Sequence, residues 1–167
     1  GTEAGGAIRW DGPGRYRQYL YPQDGLAAND VRAITAYAGK LWFATSRGLS
    51  SLGDDGRWAS YTTASTDGGL PSDDLTSLAV GPDGGLWIGT RQTWDGASWV
   101  GGGLARFQDG RWHIYTPTDG IPSLNVVGVA DDYPVEEFRQ VVGARVGQPL
   151  ADFLATSQFS YAQIDAN

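Results

Sequence analysis

The sequence contains no cysteine and no methionine, and His113 is its single histidine. Without cysteine the chain forms no disulfide and offers no thiolate to a metal ion. A multi-histidine metal site within one chain is excluded as well. We therefore expect neither a metal site nor a cofactor, and both oxidising and reducing compartments are chemically permitted.

Long apolar runs and an excess of basic residues are also missing. No stretch approaches the roughly 20 apolar residues of a membrane-spanning helix, so membrane insertion is not expected. Lys and Arg number 12 against 19 Asp and Glu, which gives a net charge of −7. Such a surface repels phosphate backbones, and nucleic acid is therefore not an expected partner. Because the chain begins at Gly1 without a methionine, we expect it to be processed or cut from something longer.

Glycine and aromatic residues are abundant instead. The 167 residues include 25 Gly, seven Trp and eight Tyr, and 41% of the residues are hydrophobic. This length suits one ordinary globular domain. The composition is typical of many short strands joined by tight turns.

An internal repeat organises the sequence. The motif Leu-Trp-Phe-Ala-Thr at residues 41–45 recurs as Leu-Trp-Ile-Gly-Thr at residues 86–90. A Gly-Leu or Gly-Ile turn precedes each inner apolar run, at Gly25, Gly69 and Gly120, so the repeats are 44 and 51 residues apart. A period of about 40–50 residues with four strand-like segments is typical of a propeller blade.

The repeat predicts an all-β chain of β-propeller-type blades within a repeat region at residues 1–130. Full four-stranded blades are expected at residues 31–62 and 75–116, with a partial blade at 5–20 and a single inner strand at 125–130. The tail, residues 131–167, is expected to be helical and then strand-like, because its apolar residues first recur at helical spacing and later alternate. The repeated tryptophans Trp42, Trp58, Trp87 and Trp112 are predicted to pack between blades.

These motifs resemble the two-component regulator propeller family over about residues 5–130. The matching segments are 69–75 leading to 86–90, and Gly-Leu-Ala-Arg-Phe at 103–107, with weaker copies at 25–31 with 41–45 and at 120–126. The resemblance implies a β-propeller in an extracellular or periplasmic sensor region, where such domains often detect glycans. It therefore implies a non-enzymatic module that binds or senses an extracellular ligand, with carbohydrate as the expected ligand.

An insertion in the second blade is the best candidate for a binding site. Between the motif threonine and the next Gly-Leu strand it adds ten residues, within 91–103. Trp94 and Trp99, flanked by Arg91 and Asp95, could stack a sugar ring and hydrogen-bond its hydroxyl groups. The loops that connect successive blades, at residues 29–30 and 71–74, are expected on the same face as this insertion. The alternative is a hairpin extension that covers a neighbouring blade or a subunit contact.

The number of blades raises a second functional class. Two full blades and two partial ones are too few for an ordinary closed ring of 4–8 blades. The chain is therefore expected to be the remainder of a longer propeller or to form a homo-oligomer, as a ring or a filament. The alternating strand that holds Phe159, Tyr161 and Ile164 is predicted to take part in assembly by pairing with a neighbour's open edge. The alternative function is then a self-assembling extracellular structural protein.

No catalytic residues are predicted. His113 has no Ser or Asp partner at a recognisable spacing, so a nucleophilic triad is not indicated. The paired aspartates at 54–55, 73–74 and 131–132 lack the spacing of a calcium-binding loop and are typical of turns. An enzyme of the propeller lyase or hydrolase type would need an acid–base pair that the sequence does not display.

Overall fold

The computed structural model describes residues 1–130 and, as backbone, residues 161–164. The described chain is almost entirely β-structure, as predicted. Its strands are β1 (Ala7–Gly12), β2 (Arg15–Tyr19), β3 (Ala33–Tyr37), β4 (Lys40–Thr45), β5 (Gly48–Gly53), β6 (Trp58–Tyr61), β7 (Leu75–Val80), β8 (Leu86–Thr90), β9 (Thr93–Trp94), β10 (Trp99–Val100), β11 (Gly103–Gln108), β12 (Arg111–Tyr115), β13 (Val126–Ala130) and β14 (Tyr161–Ile164). A single-turn 3₁₀ helix, Pro117–Asp119, precedes β13.

Two of the sheets are complete propeller-type blades. The first has the strand order β3-β4-β5-β6 and the second β7-β8-β11-β12, and every pairing is antiparallel. Two-stranded sheets lie at both ends of the repeat region: β1-β2, called the N-terminal half-blade below, and β13-β14, the C-terminal half-blade. The prediction of two full blades with partial blades at both ends is therefore confirmed. Within the described residues, no helix combines the length and apolar character that crossing a bilayer would need.

The third strand of each blade begins at a glycine for a steric reason. Gly48 has a φ of +125°, and a Cβ there would lie 2.6 Å from the carbonyl oxygen of Tyr61 on the fourth strand. The buried hydroxyl of Thr45 donates to the carbonyl oxygen of Gly48 at 2.8 Å, and Thr90 makes the same bond to Gly103. The motif threonine and the following glycine therefore fix the turn from the second strand to the third.

Aromatic residues fill the interface between the two full blades. Trp42 stacks on Tyr61 at 5.3 Å between ring centroids, and Phe107 of the second blade packs on Trp42 at 5.5 Å. Trp112 contacts Tyr61 at 5.9 Å. Such pairs stabilise a fold by about 0.5–1.5 kcal/mol each beyond the burial of their surface. Three of the repeated tryptophans pack across a boundary between sheets, as predicted: Trp42 on Phe107, Trp112 on Tyr61 and Trp58 on Tyr19. Trp87 is 2% exposed and stacks on Tyr115 of its own blade.

The N-terminal half-blade packs on the first full blade through one face. Tyr19 meets Trp58 edge-on at 5.5 Å, and Trp58 in turn packs on Phe43 at 5.2 Å. Ala7, Tyr19 and Phe43 are buried in one apolar cluster. Pairing of Ala7 with Tyr19 repeats the pairing of Leu49 with Tyr61 in the first blade, so β1 and β2 correspond to the third and fourth strands of a blade.

The C-terminal half-blade repeats the register of the first two strands. Val126 pairs with Ile164 and Gly128 with Gln163, with a bulge between them. The second blade has the same bulge between the pairs Leu75–Thr90 and Ser77–Gly89. By this register β14 takes the place of the Leu-Trp strand, although it lacks that motif. The predicted tail strand is present at Tyr161–Ile164, whereas the predicted helical part of the tail lies outside the described residues.

Candidate functional site

The insertion folds into a small hairpin whose two tryptophans face each other. Trp94 on β9 pairs with Trp99 on β10. Their ring centroids lie 5.8 Å apart and the rings meet at 65°. Of their surface, 56% and 64% is exposed. The two rings therefore form an apolar platform that is open to solvent.

The turn of the hairpin is held by Asp95. Its Oδ1 accepts hydrogen bonds from the backbone amides of Ala97 and Ser98, each at 2.8 Å. The Ser98 amide, followed by the Ala97 amide, holds the pKa of Asp95 below its ordinary value of 3.8. The carboxylate is therefore ionised at neutral pH. The side chain of Ser98 contributes further to the lowered pKa, and the carboxylate stays exposed.

The C-terminal side of the hairpin is wedged between two loops that connect blades. Gly102 donates its backbone amide to the carbonyl oxygen of Pro71 at 3.3 Å, and Gly103 donates to that of Leu124 at 2.7 Å. A Cβ on Gly101 would lie 2.3 Å from the Pro71 oxygen, and one on Gly102 would lie 2.4 Å from the Leu124 oxygen. Only glycine fits so close to both loops.

The N-terminal side of the hairpin is bound to the same two loops. The amide of Arg91 donates to the carbonyl oxygen of Asp74, and the amide of Gln92 donates to Oδ1 of Asn125, each at 2.9 Å. The insertion thus shares a face with residues 71–74, in agreement with the expectation from the sequence. Its base is fixed by hydrogen bonds to the scaffold, whereas its tip projects into solvent.

The structure places the four predicted site residues on one hairpin. Trp94 and Trp99 are in contact and Asp95 lies in the turn between them. Arg91 is exposed at the base, and within the described chain it makes no side-chain hydrogen bond or ion pair with the other three. A ligand that reaches from the tryptophan platform to the base could contact both ends.

The role of the three predicted assembly residues in self-association stays a prediction. Phe159 lies outside the described residues. Tyr161 and Ile164 are the ends of β14, which pairs with β13 of the same chain.

Sequence analysis missed an exposed apolar surface on the N-terminal half-blade. Ile8, Trp10 and Tyr16 lie on one face of β1 and β2 and are 51%, 69% and 69% exposed. We call them the N-terminal aromatic face. The repeat could have revealed this surface. Trp10 and Tyr16 pair with each other as Phe107 and Trp112 do in the second blade. Phe107 and Trp112 pack against the preceding blade.

The aspartates near the hairpin are bound by protein groups. Asp73 accepts hydrogen bonds from the amide and hydroxyl of Thr63 at 2.6 and 3.0 Å. Asp74 forms an ion pair with Arg32. In the described part of the chain, no three His, Asp or Glu side chains are grouped so that they could hold a metal ion. His113 packs edge-on against Tyr115 at 4.4 Å.

The segment that leads into the hairpin matches a known repeat family. Residues 69–92 match the family model of the two component regulator propeller. They run from the Gly-Leu-Pro-Ser turn through β7 and β8 to the base of the hairpin. The resemblance to regulator propellers is therefore confirmed at this repeat.

A solved structure shows the same fold. The chain is similar to the extracellular domain of a hybrid two component system from B. thetaiotaomicron, with 24% sequence identity and a TM-score of 0.58. That match covers 75% of this chain and 17% of that one, so the chain spans only a small part of that extracellular domain. The extracellular domain of a one component system from the same organism matches with 23% identity and a TM-score of 0.45, over 60% of this chain and 12% of that one. No curated protein matches the chain.

Proposed function

We propose that this chain is a non-enzymatic extracellular or periplasmic propeller module that binds a carbohydrate at the hairpin β9-β10. The observation that carries the proposal is the exposed, contacting pair Trp94 and Trp99, held on the loop face by bonds to two blade-connecting loops. Exposing two large aromatic rings costs solvation free energy, and a ligand that covers them regains it.

The chemistry of the hairpin suits a sugar. A pyranose ring has an apolar face of C–H groups, which can lie on an indole ring, and a rim of hydroxyl groups. Oδ2 of Asp95 can accept a hydrogen bond from such a hydroxyl, and the Arg91 guanidinium can donate one. Apolar walls with a few polar groups are the usual composition of a ligand site.

The setting supports an extracellular role. The family model describes regulator propellers, and the solved structure with the higher TM-score is described as an extracellular domain. The chain would then be one part of a larger sensing propeller, in which the hairpin supplies one binding surface.

Binding can be tested on an array of defined oligosaccharides, followed by titration calorimetry with each one that binds. The double variant Trp94→Ser/Trp99→Ser should lose binding by at least about tenfold, which corresponds to about 1.4 kcal/mol. Trp10→Ser/Tyr16→Ser is the matched control, because it removes exposed aromatic residues from another face, and it should bind normally. Equal binding by the wild type and the hairpin variant would exclude the hairpin as the site.

A second candidate function is a self-assembling extracellular structural protein. The N-terminal aromatic face favours it, since a soluble monomer seldom exposes clustered large apolar side chains without a partner. The two functions are separated by measurement: sugar binding depends on the hairpin, whereas assembly depends on the ends of the repeat region.

A further inference from the structure

We infer that Gln92 is a further ligand-contacting residue of the hairpin site, and that its carboxamide selects a sugar with free hydroxyl groups on adjacent carbon atoms. This inference rests on the proposed function, because it concerns the same site and narrows the same class of ligand. It follows from the register of the hairpin and from the unpaired carboxamide of Gln92.

The hairpin keeps one register from its base to its tip. Thr90 pairs with Gly103 at the base, and Trp94 pairs with Trp99 near the tip. Both pairs fit the same count of residues on the two strands, so Gln92 lies between them on the same ladder. Because successive residues of a strand point to opposite faces, Gln92 shares the face of Trp94, which is two positions further along.

The strand opposite Gln92 leaves its side chain uncovered. In this register the residue across from Gln92 is Gly101, and the next residue is Gly102. Neither glycine carries a side chain that could pack over the carboxamide. The tryptophan platform is therefore followed, on the same face, by a position where one polar side chain stands alone.

The backbone of Gln92 is fixed and its carboxamide is unpaired. Its amide donates to Oδ1 of Asn125 at 2.9 Å, and a Cβ on Gly102 would lie 2.8 Å from its Cγ. The residue is half-buried. Within the described chain, the carboxamide makes no hydrogen bond to another protein group. A polar group that is held in place but left unpaired loses little freedom when a ligand binds it.

The distance between Gln92 and the platform suits a single sugar ring. Residues two positions apart along a strand are separated by about 6.5–7 Å. A pyranose that lies on the indole of Trp94 therefore has its rim of hydroxyl groups within reach of the Gln92 carboxamide.

The chemistry of a carboxamide distinguishes sugars by the spacing of their hydroxyl groups. Oε1 of Gln92 accepts a hydrogen bond and Nε2 donates one. Two hydroxyl groups on adjacent ring carbons can satisfy both atoms, one as donor and the other as acceptor. A ring without adjacent hydroxyl groups can satisfy only one of them, so it should bind more weakly.

Asp95 cannot replace this contact. Its carboxylate is ionised at neutral pH and therefore only accepts hydrogen bonds. The carboxylate alone would bind any hydroxyl group that reaches it, whereas the carboxamide adds a preference for a pair.

NMR titration of the full chain with small sugars tests the inference. The probes are the methyl glycosides of glucose, galactose, mannose and xylose, each with its 3-deoxy analogue, which has no adjacent hydroxyl groups left. For each glycoside that binds, the wild type should bind the parent sugar about tenfold more tightly than the analogue. The side-chain NH₂ signals of Gln92 should shift when the parent sugar is added.

Gln92→Ala should bind the parent sugar about tenfold more weakly and should no longer distinguish it from the 3-deoxy analogue. A merely structural role of Gln92 would weaken the binding of both sugars equally. Thr93→Ala is the matched control, because Thr93 is exposed and points to the opposite face of the hairpin. It should keep both the affinity and the preference of the wild type.

The outcomes separate this inference from the proposed function. Binding that requires Trp94 and Trp99 but is unchanged in Gln92→Ala would overturn the role of Gln92 and leave the proposed function standing. Equal binding of the parent sugar and its 3-deoxy analogue by the wild type would do the same. Absence of binding to these glycosides and to every oligosaccharide on the array would overturn both.

Discussion

Thr76 donates a hydrogen bond to the carbonyl oxygen of Val126 at 2.6 Å, and this bond joins the second blade to β13. Arg32 stands at the same repeat position one blade earlier and donates to the carbonyl oxygen of Leu75 at 2.7 Å. Leu75 is the counterpart of Val126. The position therefore links each inner strand to the next, although its side chain differs between repeats.

Thr76→Val should destabilise the fold by about 1–2 kcal/mol, because it keeps the shape of the side chain and leaves the Val126 carbonyl without its donor. Equilibrium urea unfolding followed by tryptophan fluorescence measures the change. Thr93→Val is the control: Thr93 is an exposed strand residue of the hairpin, and its replacement should change stability by less than about 0.5 kcal/mol. Equal effects of the two variants would show that the inter-blade bond contributes nothing.

Gly48→Ala should lower the free energy of unfolding far more than Gly56→Ala does. Both positions have positive φ, at +125° and +77°, but a Cβ at residue 48 would meet the Tyr61 carbonyl oxygen whereas nothing lies within 4 Å of one at residue 56. We expect Gly56→Ala to cost about 1 kcal/mol from backbone strain and Gly48→Ala at least about 2 kcal/mol more. Thermal unfolding of both variants checks the difference, and similar melting temperatures would contradict the steric argument.

Arg32 and Asp74 form an ion pair across the blade boundary, and their contributions to stability should be coupled. Their side chains are 30% and 22% exposed, so solvent screens the pair only in part. A double-mutant cycle with Arg32→Met and Asp74→Asn should give a coupling of about 1 kcal/mol, which decreases at high salt. Strictly additive single effects would indicate that Arg32 acts through the Leu75 carbonyl oxygen and Asp30 instead.

The hairpin turn should respond to acid. The pKa of Asp95 is lowered by the amides of Ser98 and Ala97, so the ionised carboxylate stabilises the turn. That contribution is present above the ordinary value of 3.8 and is lost as pH falls through the lower pKa of the folded chain. In an NMR titration the Ala97 and Ser98 amides should shift below pH 3.8, and Asp95→Asn should remove the shift. A titration midpoint at or above pH 3.8 would show that the turn does not stabilise the ionised carboxylate.

Much of the fold could be predicted from the sequence because the repeat makes each local pattern visible twice. The Leu-Trp strands recur at a period that is typical of propeller blades. The Asp-Gly turns mark the hairpins between neighbouring strands. Strand ends are less predictable: the pattern Asp-Gly-Pro-Gly at residues 11–14 favours a turn from Asp11, yet β1 continues to Gly12. Pairing through the Trp10–Gly12 irregularity extends the strand.

The partner of the tail strand could not be predicted from the sequence. Alternation within residues 159–164 indicated a strand, yet alternation carries no information about which edge the strand joins. β14 pairs with β13, more than 30 residues earlier in the chain, without the Leu-Trp motif that marks the second strand elsewhere. The hairpin was foreseen as an insertion with two tryptophans, whereas their contact depends on the pairing of β9 with β10.

The hairpin occurs in one full blade and not in the other, and this has a consequence for how freely the loop can be exchanged. Thr45 pairs directly with Gly48 in the first blade, and Thr90 pairs with Gly103 in the second although the hairpin lies between them. The buried bond from the threonine hydroxyl to the glycine carbonyl oxygen is also the same in both blades. The segment between these two residues can therefore change in length and sequence while the blade keeps its register, so the same scaffold can present different recognition loops.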